Sequence, residues 1–299
     1  MTSKQKAHIG ILLANLFFAI NISAVKHLTT NNFIQPFAIN LLRAGVSAFL
    51  FWSLLFFSPD KKYLIKKQHW GKFVLCALCG ISLNQTFFIK GLSLTLPTHA
   101  ALLLLITPIL ISLAAVYILK EKLSIYKILG LTLGITGAVI LITAKNTGGY
   151  AKDIFLGDVL IILNAIVYAV YFILVKPLMQ EYNPLHVIRW VFTIGFFMLL
   201  PLGFNQVTQV DFVAFSSLEW MCILLVVVAG TFFAYFFNIY GLKTLGAGIT
   251  GAYIYTQPVF AAIIANIFLG EVLDRYKILA AILIFTGVFL TTKSTTKND

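Results

Sequence analysis

Acidic side chains are scarce in this sequence. It holds 10 Asp and Glu against 22 Lys and Arg, and every acid falls in a connecting segment or at the end of an apolar run. An enzyme working inside a membrane needs paired carboxylates, a histidine cluster or a metal set at the depth of the reaction. A proton-driven carrier commonly needs an embedded carboxylate whose pKa the hydrocarbon raises. No acidic pair, no HExxH and no glycine-rich loop followed by lysine occurs. Catalysis is therefore not expected, and neither is coupling to protons or sodium; His99 and His186 are the remaining titrating candidates.

Cysteine is equally sparse, with three in all. Cys76 and Cys79 form a CxxC pair, but they lie in an apolar run without a second ligand pair. Buried thiols, rather than zinc or redox chemistry, are the expectation, and no cofactor or metal is implied. Charged residues make up only 11% of the chain. Connections between apolar runs are too short to hold a nucleotide-binding or soluble catalytic domain. The formal charge of +12 comes from lysines in short turns, which points to membrane orientation rather than to nucleic acid.

What the chain has in abundance is apolar side chains, 60% of the residues, with 27 phenylalanines. A helix crosses about 30 Å of hydrocarbon with roughly 20 residues. Apolar runs punctuated by charge, Pro or Gly predict helices over 8–27, 34–57, 70–92, 97–119, 125–144, 157–179, 184–203, 218–241, 246–269 and 275–293. Barrel strands would alternate and be shorter. Lys4 and Lys6 ahead of the first run resemble the start of a signal peptide, but Asn15 and Asn21 interrupt that run and no small-residue cleavage pattern closes it. It reads as the first helix. The expected fold is an all-α integral membrane protein of ten transmembrane helices.

With both termini cytoplasmic, the opposite face receives only Lys26, Lys90, Lys145, Lys152, Arg275 and Lys277 from the connecting segments. All other loop cations, including Lys61, Lys62, Lys66 and Lys67, then lie inside, as the positive-inside rule requires. The expected location is the plasma or inner membrane.

Shifted by 150 residues, the chain matches itself. Glu121, Leu123, Tyr126, Lys127, Ile128 and Leu129 fall on Glu271, Leu273, Tyr276, Lys277, Ile278 and Leu279. Gly91, Pro108 and Thr136-Gly137 fall on Gly241, Pro258 and Thr286-Gly287. The expected units are 1–145 and 156–299, each of five helices. An odd number per unit makes the two inverted with respect to the membrane, the arrangement suited to alternating access.

The spacing of Gly91, Pro108, Glu121 and Leu123, repeated at Gly241, Pro258, Glu271 and Leu273, resembles the EamA-type repeats of the drug/metabolite transporter superfamily. TQPVFAAIIANIFLGEVL in the second unit and QPFAINLLRAGVSAFLF near the second helix carry the same resemblance. It implies a ten-helix basket with a central cavity for an amino acid, nucleoside or other small metabolite, often in the export direction. Thr98 and His99 stand where that family usually has small apolar residues.

Polar groups in hydrocarbon are costly unless paired, so those deep within helices either bind a solute or bridge helices. The candidate solute-binding set is Asn15, Arg43, Asn84, Thr107, Tyr168, Tyr235, Asn238 and Gln257. Arg43, about ten residues into its helix, either meets an anionic group of the solute or makes a structural bond; Arg189, nearer the cytoplasmic end, reads as snorkelling. Asn164 is the first-helix amide of the second unit. Thr107-Pro108 and Gln257-Pro258 occupy matching positions where proline frees a carbonyl and kinks the helix. Tyr171, Tyr253 and Tyr255 join Tyr168 and Tyr235 as rings inside helices rather than at the interfacial belt. Gly130 and Gly134 form GxxxG, which either packs the fifth helix into its own bundle or dimerises the chain.

The expected activity is movement of a small amphiphilic solute, the alternative being a channel-like facilitator and, further off, an embedded enzyme. The expected partners are that solute and lipid, with the chain a monomer or a homodimer. In sealed cells, impermeant thiol reagents should label Asp153→Cys and Asp211→Cys but not Lys62→Cys; labelling of the last reverses the topology.

Overall fold

The computed structural model describes residues 1–30, 33–54, 64–95, 100, 103–120, 124–143, 153–269 and 275–293. Thr98, His99, Lys61, Lys62, Glu121 and Glu271 lie outside the described residues.

The described chain is helical: α1 (Ser3–Thr30), α2 (Pro36–Ser53), α3 (Trp70–Ala77), α4 (Leu83–Leu94), α5 (Ile106–Leu119), α6 (Ile125–Thr143), α7 (Ile154–Glu181), α8 (Pro184–Thr208), α9 (Ser217–Leu224), α10 (Ala234–Leu245), α11 (Ala247–Ala252), α12 (Thr256–Leu269) and α13 (Arg275–Lys293). Leu78–Ser82 joins α3 to α4 and Leu225–Phe233 joins α9 to α10 as wide π turns, so each pair is one continuous rod. Five rods are long and apolar enough to cross a membrane: Ser3–Thr29, Lys67–Leu94, Ile154–Glu181, Pro184–Thr208 and Ser217–Leu245. Shorter apolar helices include Ile106–Ile118, Ile125–Gly137 and Ile278–Leu290. The expected ninth run is interrupted because Tyr253–Tyr255 is a 3-10 turn just ahead of Pro258. A proline has no N–H for the carbonyl one turn earlier, so the helix tightens there.

Three helix starts are closed by local side chains. Asp153 accepts from the Leu156 amide to cap α7, Asn183 accepts from Leu185 to cap α8 with Pro184 at the first turn, and Ser216 with Glu219 forms a capping box on α9. At the start of α2, the Phe37 and Ala38 amides donate to Gln206 Oε1 of α8 at 2.9 and 3.3 Å, so a distant side chain satisfies the orphan donors.

Packing repeats the sequence shift. α2 packs on its counterpart α8, and α6 on its counterpart α13. α4 packs on α7 and, 150 residues apart in both members, α10 packs on α1. The small residues follow suit: a β-carbon added to Gly91 would lie 3.0 Å from Ile161 Cδ1, and one on Gly241 would lie 3.3 Å from Ile11 Cβ. Contacts that recur with the partners exchanged are those of an isologous, two-fold interface. Residues self-paired by it mark the axis, as where the Gln85 amide meets Tyr235 and the Tyr255 hydroxyl meets the Leu105 carbonyl.

Gly130 and Gly134 receive Gly287: a β-carbon there would sit 2.6 Å from Gly130 O and 2.9 Å from Gly134 N. GxxxG thus packs α6 onto α13 within one chain. Outward faces are apolar instead, with Phe49, Phe155, Phe197 and Phe289 exposed by 70, 81, 65 and 62%, a surface suited to lipid and not to water. Gly287→Ala should lower detergent-state stability by about 1 to 3 kcal/mol, since backbone cannot yield as a side chain can. Gly71→Ala, where an added carbon meets nothing within 4 Å, is the control and should change the unfolding temperature little.

Candidate functional site

The two π turns lie at matching places, and each brings the third rod of its half against the first rod of the other. A π turn inserts an extra residue and displaces carbonyls from the regular ladder, a geometry that recurs at functional sites. Here the Thr231 hydroxyl donates to Val226 O, five residues back, at 2.7 Å, and accepts from Arg43 Nε, also at 2.7 Å. Tyr235, one turn further on, lies within electrostatic reach of Arg43. Its hydroxyl accepts from Gln85 Nε2 at 2.8 Å and faces Gly80 O at 3.5 Å. Asn40 Nδ2 reaches the Gln85 carbonyl at 3.3 Å.

The network continues onto α7. Tyr168 is an electrostatic neighbour of Tyr235 and accepts from Asn238 Nδ2 at 3.1 Å. It also stacks on Tyr171, with ring centres 6.1 Å apart. Asn164 Nδ2 donates to the Asn84 backbone carbonyl at 2.8 Å. Arg43, Asn84, Tyr168, Tyr235 and Asn238 are therefore brought together in one buried polar region spanning α2, α4, α7 and α10.

Asn15 and Gln257 form a separate pair. Gln257 Nε2 donates to Asn15 Oδ1 at 2.8 Å, while Asn15 Nδ2 donates to Ile11 O at 2.7 Å. One turn along α1 from Asn15, Phe18 meets Tyr235 edge-on at 5.8 Å, which joins this pair to the central region. Below it, His8 Nδ1 meets the Tyr253 hydroxyl at 2.8 Å. Thr107 is buried on α5 with its hydroxyl unpartnered and touches none of the other candidates by hydrogen bond.

The shift of 150 that the packing follows pairs Gln85 with Tyr235. Gln85 was legible from that arithmetic. Asn40 and Ser47, three residues before and four after Arg43 on one face of α2 and both buried, were legible from helical spacing. Thr231 carried no signal, because only the π turn aims it at Arg43. Arg189 does not snorkel: it is 1% exposed, donates to Phe51 O at 3.3 Å and lies 5.0 Å from the Trp52 ring. A guanidinium there satisfies a carbonyl at the C-terminal end of α2.

The described acids are engaged at helix ends. Glu219 meets His27 at 3.1 Å and accepts from Ser216. Glu181 pairs with Lys66 at 3.1 Å and His69 at 3.4 Å, and it holds the Lys66 ammonium above its ordinary range. Asp158 accepts from Thr95. Among the described residues no cluster of His, Cys, Asp and Glu could hold a metal, and Cys76, Cys79 and Cys222 are free thiols.

Apolar rods with apolar outward surfaces around a buried polar centre define a multi-pass membrane protein. The sequence profile of the EamA-like transporter family matches residues 5–143 and again 155–293, and the chain belongs to that family, within the drug/metabolite transporter superfamily; it is a transporter and not an enzyme. It is similar to an uncharacterized transporter of Archaeoglobus fulgidus, 25% identical over 96% of this chain and 98% of the relative. It is also similar to a probable terminal-alkyne amino-acid exporter of Streptantibioticus cattleyicolor, 26% identical over 74% of this chain and 72% of the relative. A solved crystal structure, described only as that of a protein, shares the fold with a TM-score of 0.80 at 17% identity over 99% of both chains.

The Asn15–Gln257 bond should appear in a double-mutant cycle of Asn15→Ala and Gln257→Ala. Coupling of about 0.6 kcal/mol, and no more than about 1.7, is the range for such bonds in membranes; additive effects on unfolding would mean the two amides do not interact.

Proposed function

We propose that this transporter moves a small amphiphilic metabolite, an amino acid or a solute like it, by alternating access between two inverted five-helix units, 1–145 and 156–299, with export as the net direction. The observation that carries the reading is the reciprocity of contacts between the halves. α4 on α7 and α10 on α1 are one contact made twice, so two packings that differ by exchanging the roles of the halves have similar energy. Similar energies are what an alternating carrier needs, since neither facing state can then be a deep trap. Ten crossings, both termini cytoplasmic and a plasma or inner membrane location complete the scheme, with the positive-inside count in support.

The solute site is assigned to Asn15, Arg43, Asn84, Thr107, Tyr168, Tyr235, Asn238 and Gln257. In support, five of these form one buried polar region near the residues self-paired across the axis. A site on the axis is reachable from both sides by symmetric motions, whereas an off-axis site would favour one facing state. The exporter named among the relatives handles an amino acid, and rings with polar tips suit such a solute. GxxxG is consumed within the bundle, which favours a monomer as the working unit.

Asp158, Glu181 and Glu219 sit at helix ends with partners of their own, so the chain is assigned downhill transport or exchange rather than proton coupling. Liposomes loaded with labelled amino acids, nucleosides and sugars should release a subset of the amino acids down their gradient with no pH step imposed. Strict dependence on a pH step would sink the uncoupled mechanism and direct attention to His186. Release of every solute at similar rates would indicate a channel.

A further inference from the structure

We propose that the Arg43 guanidinium is the seat of a carboxylate, so that the solutes this protein carries are small carboxylates, amino acids among them; the proposal rests on the transport reading above and names the chemistry of its site. Arg43 is 4% exposed and lies on the buried face of α2. The structure records one hydrogen bond for it, from Nε to Thr231. The two terminal nitrogens have no recorded partner, and none of the ion pairs among the described residues includes Arg43. Arg189 also bonds through Nε, but to the backbone carbonyl of Phe51 at the end of α2, and its guanidinium lies 5.0 Å from the Trp52 ring.

The bond at Nε does more than occupy a donor. Because the Thr231 hydroxyl gives its own proton to Val226 O, only its lone pairs face Arg43, and they hold the guanidinium plane by one edge. The opposite edge, with its paired terminal nitrogens, is left as a fork. That fork matches the two oxygens of a carboxylate in spacing and direction, and a charge-assisted pair of this kind is strongest where water is excluded. An ammonium in the same place would be a point charge without such geometry.

Neighbouring polar atoms are also buried without partners. Ser47 Oγ and Asn40 Oδ1, on the same helical face as Arg43, make no hydrogen bond, and neither does Asn21 Oδ1, which abuts Gly230 beside Thr231. Native interiors rarely tolerate several such atoms around an unbalanced charge unless something else satisfies them. Two of the three are amide oxygens, which accept and cannot donate. A ligand whose anion sits on Arg43 and whose donors lie close behind it would satisfy both kinds of group.

A buried charge that serves a ligand destabilises the empty protein, whereas one that ties helices together stabilises it. Arg43→Met should therefore unfold in detergent at a temperature equal to or above that of the parent, while Arg189→Met, which removes a structural tie, should unfold lower. In liposomes the solutes released by the parent should all carry a carboxylate. Leucine should be compared with leucinamide and 3-methylbutylamine, and the remaining labelled amino acids and mono- and dicarboxylic acids with nucleosides and sugars. Arg43→Met should reduce carboxylate flux by about a hundredfold or more, and Arg43→Lys should fall between the two. Thr231→Val, which frees the guanidinium edge without removing its charge, should raise the half-saturating concentration by about tenfold and leave maximal flux nearer the parent's.

Release of solutes lacking a carboxylate, or Arg43→Met flux within threefold of the parent, overturns the carboxylate site while leaving the protein a transporter. A fall in unfolding temperature for empty Arg43→Met overturns it as well, by making Arg43 a structural tie. If the parent releases none of the panel, the transport reading fails first. The unfolding comparison of the empty variants then still decides whether Arg43 is a tie or an unfilled binding group.

Discussion

The close approach between the first rod of each half and the third rod of the other is the interaction on which the remainder of this structure depends. Gly91 against Ile161 and Gly241 against Ile11 let the backbones come near enough for dispersion to hold them in an apolar solvent, where burial of greasy side chains contributes little. Without that approach, Gln85 could not reach Tyr235 and Asn164 could not reach the Asn84 carbonyl. The polar centre is a consequence of small residues placed one turn or two away from it.

Symmetry in the packing and asymmetry in the chemistry coexist. The described helices of the two halves exchange contacts element for element, yet Gln85 stands opposite Tyr235, Gln257 stands where the first half has Thr107, and Asn15 stands where the second half has Ala165. The helices can be related by a two-fold packing while the side chains they carry are not. Divergence of the polar residues makes the buried centre chemically one-sided, with a guanidinium on α2 and amides and phenol rings on α4, α7 and α10.

The π turns link these two properties. In each half one of them interrupts the third rod at the height of the polar centre. A regular helix would direct Thr231 along its own ladder; the displaced turn sends its proton to Val226 and leaves its lone pairs for Arg43. Such a segment has weaker backbone geometry than the helix around it, so it is also where a rod can change its winding at least cost.

Composition and periodicity were enough to establish a helical membrane protein, the helix start at 125, the proline breaks ahead of Pro108 and Pro258, and the shift of 150 residues that the packing obeys, because those follow from solvent, chain geometry and internal copying alone. Which polar group meets which was decided only by tertiary structure. In water a helix announces its buried face by apolar periodicity, but in lipid both the outward and the inward faces are apolar, so the signal that fixes rotation about the helix axis is nearly lost. Arg43 and Arg189 are each a lone cation within an apolar run, and sequence distinguishes them only by depth. The rotation and register of α2 and α8 set the Nε of Arg189 against a backbone carbonyl beside an indole and the Nε of Arg43 against a single hydroxyl.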